Sequence, residues 1–370
     1  MSPPGPDAGT ATARVAVVGS MNMDFINLID SHPRIGSHVV TTKSLRFPGG
    51  HGVNQAVACA RLSGVPRAFL LQADYRPDSA VAVPSGVEVF MFGIVGGDRY
   101  GKDIKAELKQ NEVNIDGVRT IEEDDTGYAH ISVNLAGDPT VIFTPGAYSN
   151  FVPGPLFDPK ITPNVVVVSL EIPMEMVVHA LAWAKEHKAM TICNAAPATP
   201  SVPDEIFQVD HFIVNEQQAD ILNGIEGVLF DDRFVQQKDI RQHYQELCEK
   251  FHGYGAASVV ITMAELGVVG SDKDPVSGIR QQYCFAAEQG KGLPVVDTTG
   301  ASDAFIGGYT VELVHQKQAG LRQDIASAMK LGIKAGGLTV SKVGSMPAIP
   351  FPKDIMKTTF CAAPAPNARG

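Results

Sequence analysis

Cysteine is scarce in this 370-residue chain and follows no pattern. Its five cysteines (Cys59, Cys193, Cys248, Cys284, Cys361) are odd in number and include no CxxC pair. That argues against a disulfide framework or a structural zinc site, and points to a reducing compartment, the cytoplasm first with the nucleus also open. Long hydrophobic runs are missing as well; none approaches the roughly 20 residues of a membrane span, so no membrane partner is expected. Positive charge is in deficit, 30 Lys and Arg against 40 Asp and Glu, for a formal charge of −10. The deficit speaks against nucleic acid as a partner. It leaves a nucleotide ligand open, since local N–H groups and a metal can offset bulk charge. Several familiar motifs are absent too. There is no GxxxxGK[ST], no GxSxG and no HExxH, and the glycines of Phe92-Gly93-Ile94-Val95-Gly96-Gly97-Asp98 lack the GxGxxG spacing.

What is present is the composition of a globular α/β protein, 44% apolar and 19% charged. Residues 1–13 are rich in Pro, Gly, Ala and Thr without a secretory apolar block, and are expected to be a disordered leader. Arg14–Val18 reads as a buried strand, followed by half-polar extended segments at Phe25–Ile29 and His38–Thr42 and a helix over His51–Leu62. Phe69–Leu71 and Glu88–Val95 read as strands, separated by a surface insertion over 73–86 with two prolines and no periodicity. Tyr100–Asn111 reads as a helix. A second extended group follows: Ile115–Thr120, Gly127–Asn134 and Thr140–Phe143. From Val165 the rhythm is regular, with strands at Val165–Leu170, Met190–Cys193, His211–Val214, Ser258–Ile261 and Gly267–Ser271. Helices are expected at Met174–His187, Glu216–Leu222, Phe234–Phe251, Ala304–Gln316 and Ile325–Val340. Such alternation predicts a doubly wound, mostly parallel sheet with helices on both faces. The extended segments near 24–47 and 114–143 would form a small β-sheet lid over a main domain spanning 14–352, and 353–370 a flexible tail.

Polar residues collect where strands end, the place where open α/β sheets hold ligands. Asn22 and Asp24 follow the first strand, two apart on extended chain, so their side chains share a face and can bind neighbouring hydroxyls. Gly49-Gly50 permits close backbone approach at a helix entry, with Asn54 one turn later. Glu171 follows another strand, and Asn215-Glu216-Gln217-Gln218 spans a strand-to-helix junction, where Asn215 is also a natural N-cap. Asp297-Thr298-Thr299-Gly300-Ala301-Ser302-Asp303-Ala304-Phe305 places small residues and an acid at the start of an apolar helix. Unpaired N–H groups and a favourable dipole make that a phosphate cradle, although alone it serves equally as a helix cap.

In this order these segments resemble the ribokinase/phosphofructokinase-B family of carbohydrate kinases, over roughly Arg14 to Pro350. The carriers are Gly19–Asp24, Gly49–Ala56, Leu170–Pro173, Asn194–Ala198, Val214–Glu216 and Asp297–Phe305. The resemblance implies ATP-dependent phosphorylation of a sugar, D-ribose to D-ribose 5-phosphate as the first expectation. By it, Asp303 is the catalytic base and Gly300, Ala301 and Ser302 lead the anion hole. Asn22, Asp24, Gly50, His51, Asn54 and Glu171 would bind the sugar, and Asn215, Thr262 and Gly267 the ATP. Mg2+ would accompany the phosphates, while Asp297 and Thr299 would serve a monovalent cation, K+. The lid sheet would also carry a homodimer interface.

Departures from the family pattern leave alternatives open. His51 stands where a Lys is usual, Ser302 where a Gly is, and Gln218 where the Asn-x-x-Glu motif ends in Glu. Ala264 replaces a Gly, Ala348 a Ser, and Tyr148 an Asn. His51 and Tyr148 are the positions expected to reshape the sugar pocket toward another sugar or a nucleoside, and Ser302 is expected to crowd the phosphate site. A degenerate, non-catalytic sugar- or nucleotide-binding member is the rival from another class.

Overall fold

The computed structural model describes residues 12–71, 86–135, 139–150, 157, 160–225, 237–274 and 277–363. The insertion expected at 73–86 lies outside these apart from Gly86, as do residues 1–11 of the expected leader and residues 364–370.

Five strands with near-continuous apolar sequence form the centre: β1 (Ala13–Val18), β4 (Val87–Gly96), β8 (Val165–Ser169), β9 (Met190–Asn194) and β10 (His211–Asn215). All are buried on both faces, which is why they lack polar alternation. On β1, Val15 and Val17 enter one core while Ala16 and Val18 enter the other. With β5 (Val113–Ile121), β11 (Ser258–Thr262), β12 (Val268–Lys273) and β13 (Arg280–Phe285) they make a nine-stranded sheet, ordered β13-β12-β11-β10-β9-β8-β1-β4-β5. Pairing is parallel from β11 to β5, and β12 and β13 add antiparallel at the other edge. The chain builds outward from β1 in both directions, so the topological switch lies between β1 and β8.

A second sheet of four strands carries β3 (Lys43–Gly49), β2 (Asn22–Leu28), β6 (Tyr128–Val133) and β7 (Pro139–Thr144) in that order. It buries its own cluster around Ile26, Ala129 and Ile131. The helices used below are α1 (His51–Leu62), α2 (Arg67–Leu71), α3 (Arg99–Gln110), α4 (Met174–Glu186), α5 (Glu216–Leu222), α6 (Gln237–Tyr254), α7 (Ala301–Gln318), α8 (Ile325–Thr339) and α9 (Pro352–Lys357). The central α7 packs against α1 and α8 and is buried almost all round. That explains why it shows little amphipathic bias.

Several expectations are corrected. Ile115–Thr120 does not join the lid: it lies within β5, the edge strand beside β4. An edge strand is half-solvated, so its pattern mimics that of a lid strand. His38–Thr42 forms no strand. The lid strand is β3 instead, whose Pro48 is tolerated because β3 is an edge. Phe69–Leu71 is helical, within α2, since three apolar residues carry no period that separates the two states. The tail is not all loose. α9 and β15 (Phe360–Ala362) extend the fold, with β15 pairing to β14 (Glu288–Gly290), and Lys334 lies over the Phe360 ring at 4.2 Å.

Tyr148, expected to reshape the sugar pocket, is found bridging two strands. The parallel ladder of β1 and β4 runs to Gly19 N–H donating to Phe92 O. The next rung would join Ile94 N–H to Gly19 O. Instead the buried Tyr148 hydroxyl donates to Gly19 O at 2.7 Å and accepts from Ile94 N–H at 3.1 Å. The two backbones separate there without orphaned polar groups, and the chain is free to leave the sheet for the lid. Tyr148→Phe should strip two buried backbone groups of their partner and lower stability by roughly 1–3 kcal/mol. Urea unfolding of the two proteins would measure this, and an unchanged midpoint would mean the rung closes by itself.

Candidate active site

The site lies at the carboxyl ends of β1 and β8, where the strand order reverses. β1 delivers Ser20 and, across the turn into the lid, Asn22 and Asp24; β8 delivers Glu171. The Glu171 carboxylate accepts from the Ser20 hydroxyl, from Asn22 Nδ2 at 3.3 Å and from the His51 N–H at 3.2 Å. Gly49 and Gly50 clear the space. A Cβ on Gly49 would fall 1.9 Å from Asp24 Oδ2, and Gly50 enters α1 at φ 89°, pressed against Ser20. No other residue type combines that backbone with that closeness.

Asp303, 2% exposed, sits on the first turn of α7 and faces three donors from α1. His51 Nδ1 lies 2.9 Å from Oδ1, Gln55 Nε2 donates to Oδ1 at 2.9 Å, and Asn54 Nδ2 donates to Oδ2 at 2.9 Å. Gln55 also donates to Asn194 Oδ1 at 3.1 Å, and Asn194 Nδ2 in turn reaches Ile213 O. Ser20, Gln55 and Asn194 carry no assignment from sequence. Gln55 and Asn194 are polar residues inside otherwise apolar stretches, and that is the signal that could have marked them.

Charge around the cluster is unbalanced: Asp24, Glu171 and Asp303 surround one cation candidate. Burial disfavours a charged His51 ring, but Asp303 and then Glu171 outweigh it, and its pKa is pushed up to about 10. Asp24 moves the other way for a carboxylate. Burial first, then repulsion from Glu171 and Asp303, push it up to about 7 against the opposing pull of His51 and Ser345. Two buried acceptors, Asn22 Oδ1 and Asn54 Oδ1, have no partner among the described residues. A ligand bearing several hydroxyl donors would satisfy both.

On the other side of the α7 N-terminus lies a cavity of about 370 Å3, bordered by Asn215, Thr262, Gly267, Thr298, Ala301 and Ser302 among others. Gly300, the N-cap, takes φ 79° in the left-handed region, and no side chain caps the helix. Ala301 N–H is already engaged, donating to Thr298 O at 3.2 Å. Ser302 is exposed and borders the cavity. Asn215 and Gln218 form a reciprocal capping box, at 2.9 and 2.8 Å, which occupies the Gln218 side chain in holding the start of α5. Glu216 also borders the cavity; burial, then Glu265 and Asp220, push its carboxyl up to about 7. Asp297 accepts from Thr299 N–H at 2.9 Å and from Gly344 N–H at 2.8 Å, so it organises its own turn. The Thr299 N–H, rather than its side chain, makes that contact.

The residues proposed from sequence therefore fall into two adjoining groups and the turn that joins them. Asn22, Asp24, Gly50, His51, Asn54 and Glu171 gather beside Asp303. Asn215, Thr262, Gly267, Ala301 and Ser302 line the cavity beyond it, with Gly300, Asp297 and Thr299 on the turn between. Among the described residues no helix is long and apolar enough to cross a membrane, and all five cysteines are free.

Known proteins resemble this chain in sequence and fold. The ribokinase of Schizosaccharomyces pombe is 29% identical over 348 residues, covering 91% of this chain and 94% of the relative. That of Bacillus subtilis is 28% identical over 349 residues, covering 92% and 97%. Among solved structures, a ribokinase from Cryptococcus neoformans in complex with ADP shares the fold, with TM-score 0.72 and 23% identity over 93% of this chain and 99% of that one. Residues 12–352 match the pfkB family carbohydrate kinase pattern, and the chain belongs to that family of phosphotransferases acting on sugar hydroxyls.

Proposed function

We propose that the protein phosphorylates D-ribose to D-ribose 5-phosphate with ATP, and that Asp303 is its general base. The observation that carries this reading is the position of Asp303. It stands on the turn between a polyol-type cluster and a nucleotide-sized cavity, its carboxylate aimed by three side chains of α1. Further support comes from an Arabidopsis thaliana ribokinase described as complexed with ribose and ATP, with TM-score 0.71 at 21% identity over 94% of this chain and 100% of that one.

In this reading Asn22, Asp24, Asn54 and Glu171 hold the sugar, with the Gly50 backbone close against it. Asp303 takes the proton of the attacking hydroxyl as its oxygen bonds to the γ-phosphorus and the bond to the β-phosphate oxygen breaks, releasing ADP. The N–H groups at the start of α7 stabilise charge on the transferring phosphoryl group. His51, as an imidazolium, supplies the positive charge that a Lys would otherwise provide.

Magnesium, when bound, neutralises phosphate charge. Among the described residues no group of three Asp, Glu, His or Cys side chains is arranged to hold a metal ion, and a magnesium held mainly by phosphates and water needs no such cage. Glu216 is the carboxylate positioned to contribute. The Asp297 carboxylate and the Thr299 hydroxyl offer hard oxygen donors of the kind that suit K+. The lid supports a homodimer: edge strand β7 exposes Val141, Ile142 and Phe143, an apolar row unusual on a monomer surface.

Asp303→Asn should lower kcat by roughly 10²- to 10⁴-fold while sparing ribose affinity, as read in a coupled ATPase assay and by calorimetry. Near-full turnover would mean that another group is the base. The same assay run with 2-deoxyribose, other sugars and nucleosides tests the substrate, and ribose binding without turnover would leave a non-catalytic binder.

His51→Gln should cut kcat/KM roughly tenfold or more, and His51→Lys should restore most of the loss, because the charge rather than the ring is needed. Equal rates for the Gln and Lys variants would refute that requirement. Asp24 predicts a pH dependence. Its folded-state pKa of about 7 lies above the ordinary 3.8, so its contribution to stability is present below 3.8 and lost as pH rises toward 7. Ribose binding to the carboxylate form runs opposite, so KM for ribose should rise as pH falls below about 7. A flat KM between pH 6 and 8 would exclude Asp24 as an anionic ligand.

A further inference from the structure

The turn before α9 touches both the sugar-side cluster and the start of α7. Gly344 N–H holds Asp297 Oδ2 at 2.8 Å. Ser345, fully buried, lies against Gly300 so closely that a Cβ on that glycine would stand 2.9 Å from Ser345 Cα. The Ser345 hydroxyl points the other way and donates to Asp24 Oδ2 at 3.4 Å. The residues that follow, Met346–Ala348, pack against lid strand β3. Asp24 needs such a donor. It is 5% exposed and faces Glu171 after β8, His51 on α1 and Asp303 on α7, two of them acidic. A buried carboxylate so placed is held in one geometry only by hydrogen bonds.

We infer that Ser345 is a positioning residue that ties the sugar-binding carboxylate of Asp24 to the Gly300 turn at the start of α7. One side chain thereby sets the distance between the acceptor that holds the sugar and the helix end that meets the phosphoryl group. Removing the hydroxyl leaves the Cβ packed on Gly300 but frees Asp24 to swing with the lid. The inference rests on the reading of Asp24 as a sugar ligand, yet the contact itself can be tested without sugar.

The test is a 13C-carboxyl NMR titration of Asp24 in the ligand-free protein, assigned by comparison with Asp24→Asn, for wild type, Ser345→Ala and Ser345→Thr. Glu171, His51 and Asp303 are unchanged in all three, so a difference reports the hydroxyl. Ser345→Ala should move the Asp24 midpoint upward, because the lost donor favoured the charged form. Ser345→Thr, which keeps the hydroxyl, should return it. By calorimetry, Ser345→Ala should weaken D-ribose roughly three- to tenfold and leave ATP affinity unchanged. An unmoved midpoint in Ser345→Ala overturns the inference. So does a shift that Thr fails to restore, which would mark a packing defect. A wild-type protein that neither binds nor phosphorylates ribose would instead overturn the proposed function, while the NMR arm still decides the contact.

Discussion

Three carboxyl groups, from Asp24, Glu171 and Asp303, crowd around one histidine, His51. Asp24, Glu171 and Asp303 come from different elements, and each repels the others through a medium that screens poorly. His51 contacts two of them, one through its ring and one through its backbone N–H. The surrounding architecture serves that balance. Gly49 and Gly50 let α1 start close enough to β1 for His51 to reach both acids, and Asn54 and Gln55 continue along the same helix to complete the donor set.

That arrangement explains how a ring can stand where a lysine is usual. A lysine is a flexible point charge, whereas this imidazole is fixed at Nδ1 by Asp303 and by its own position at the first residue of α1. Of the neighbouring departures, Gln218 is absorbed into a capping box that a glutamate would have served equally. Ser302 borders the cavity on the first turn of α7.

The buried parallel strands and the helices at His51–Leu62 and Glu216–Leu222 were legible because apolar runs and glycine boundaries are local signals. The site residues were legible as a set, since strand ends in a doubly wound sheet share one edge. What escaped depended on distance in the chain. Ser345 lies 321 positions from the carboxylate it meets, and no spacing rule joins them. Edge strands misled in both directions: β5 looked like a lid strand, and β13, with Arg280, Gln281 and Gln282 exposed, looked like none. Tyr148 was noticed as a departure from the family pattern, but its bridging contact needs the geometry of two diverging backbones, which sequence does not carry.

Backbone rungs are beyond the reach of substitution, because every residue but proline offers the same N–H and C=O. At Gly19 and Ile94 the fold has handed one rung to a side chain. The point where lid and sheet part company is thereby open to inheritance at a single codon. A change at residue 148 alone can alter how the chain parts from the sheet after β1.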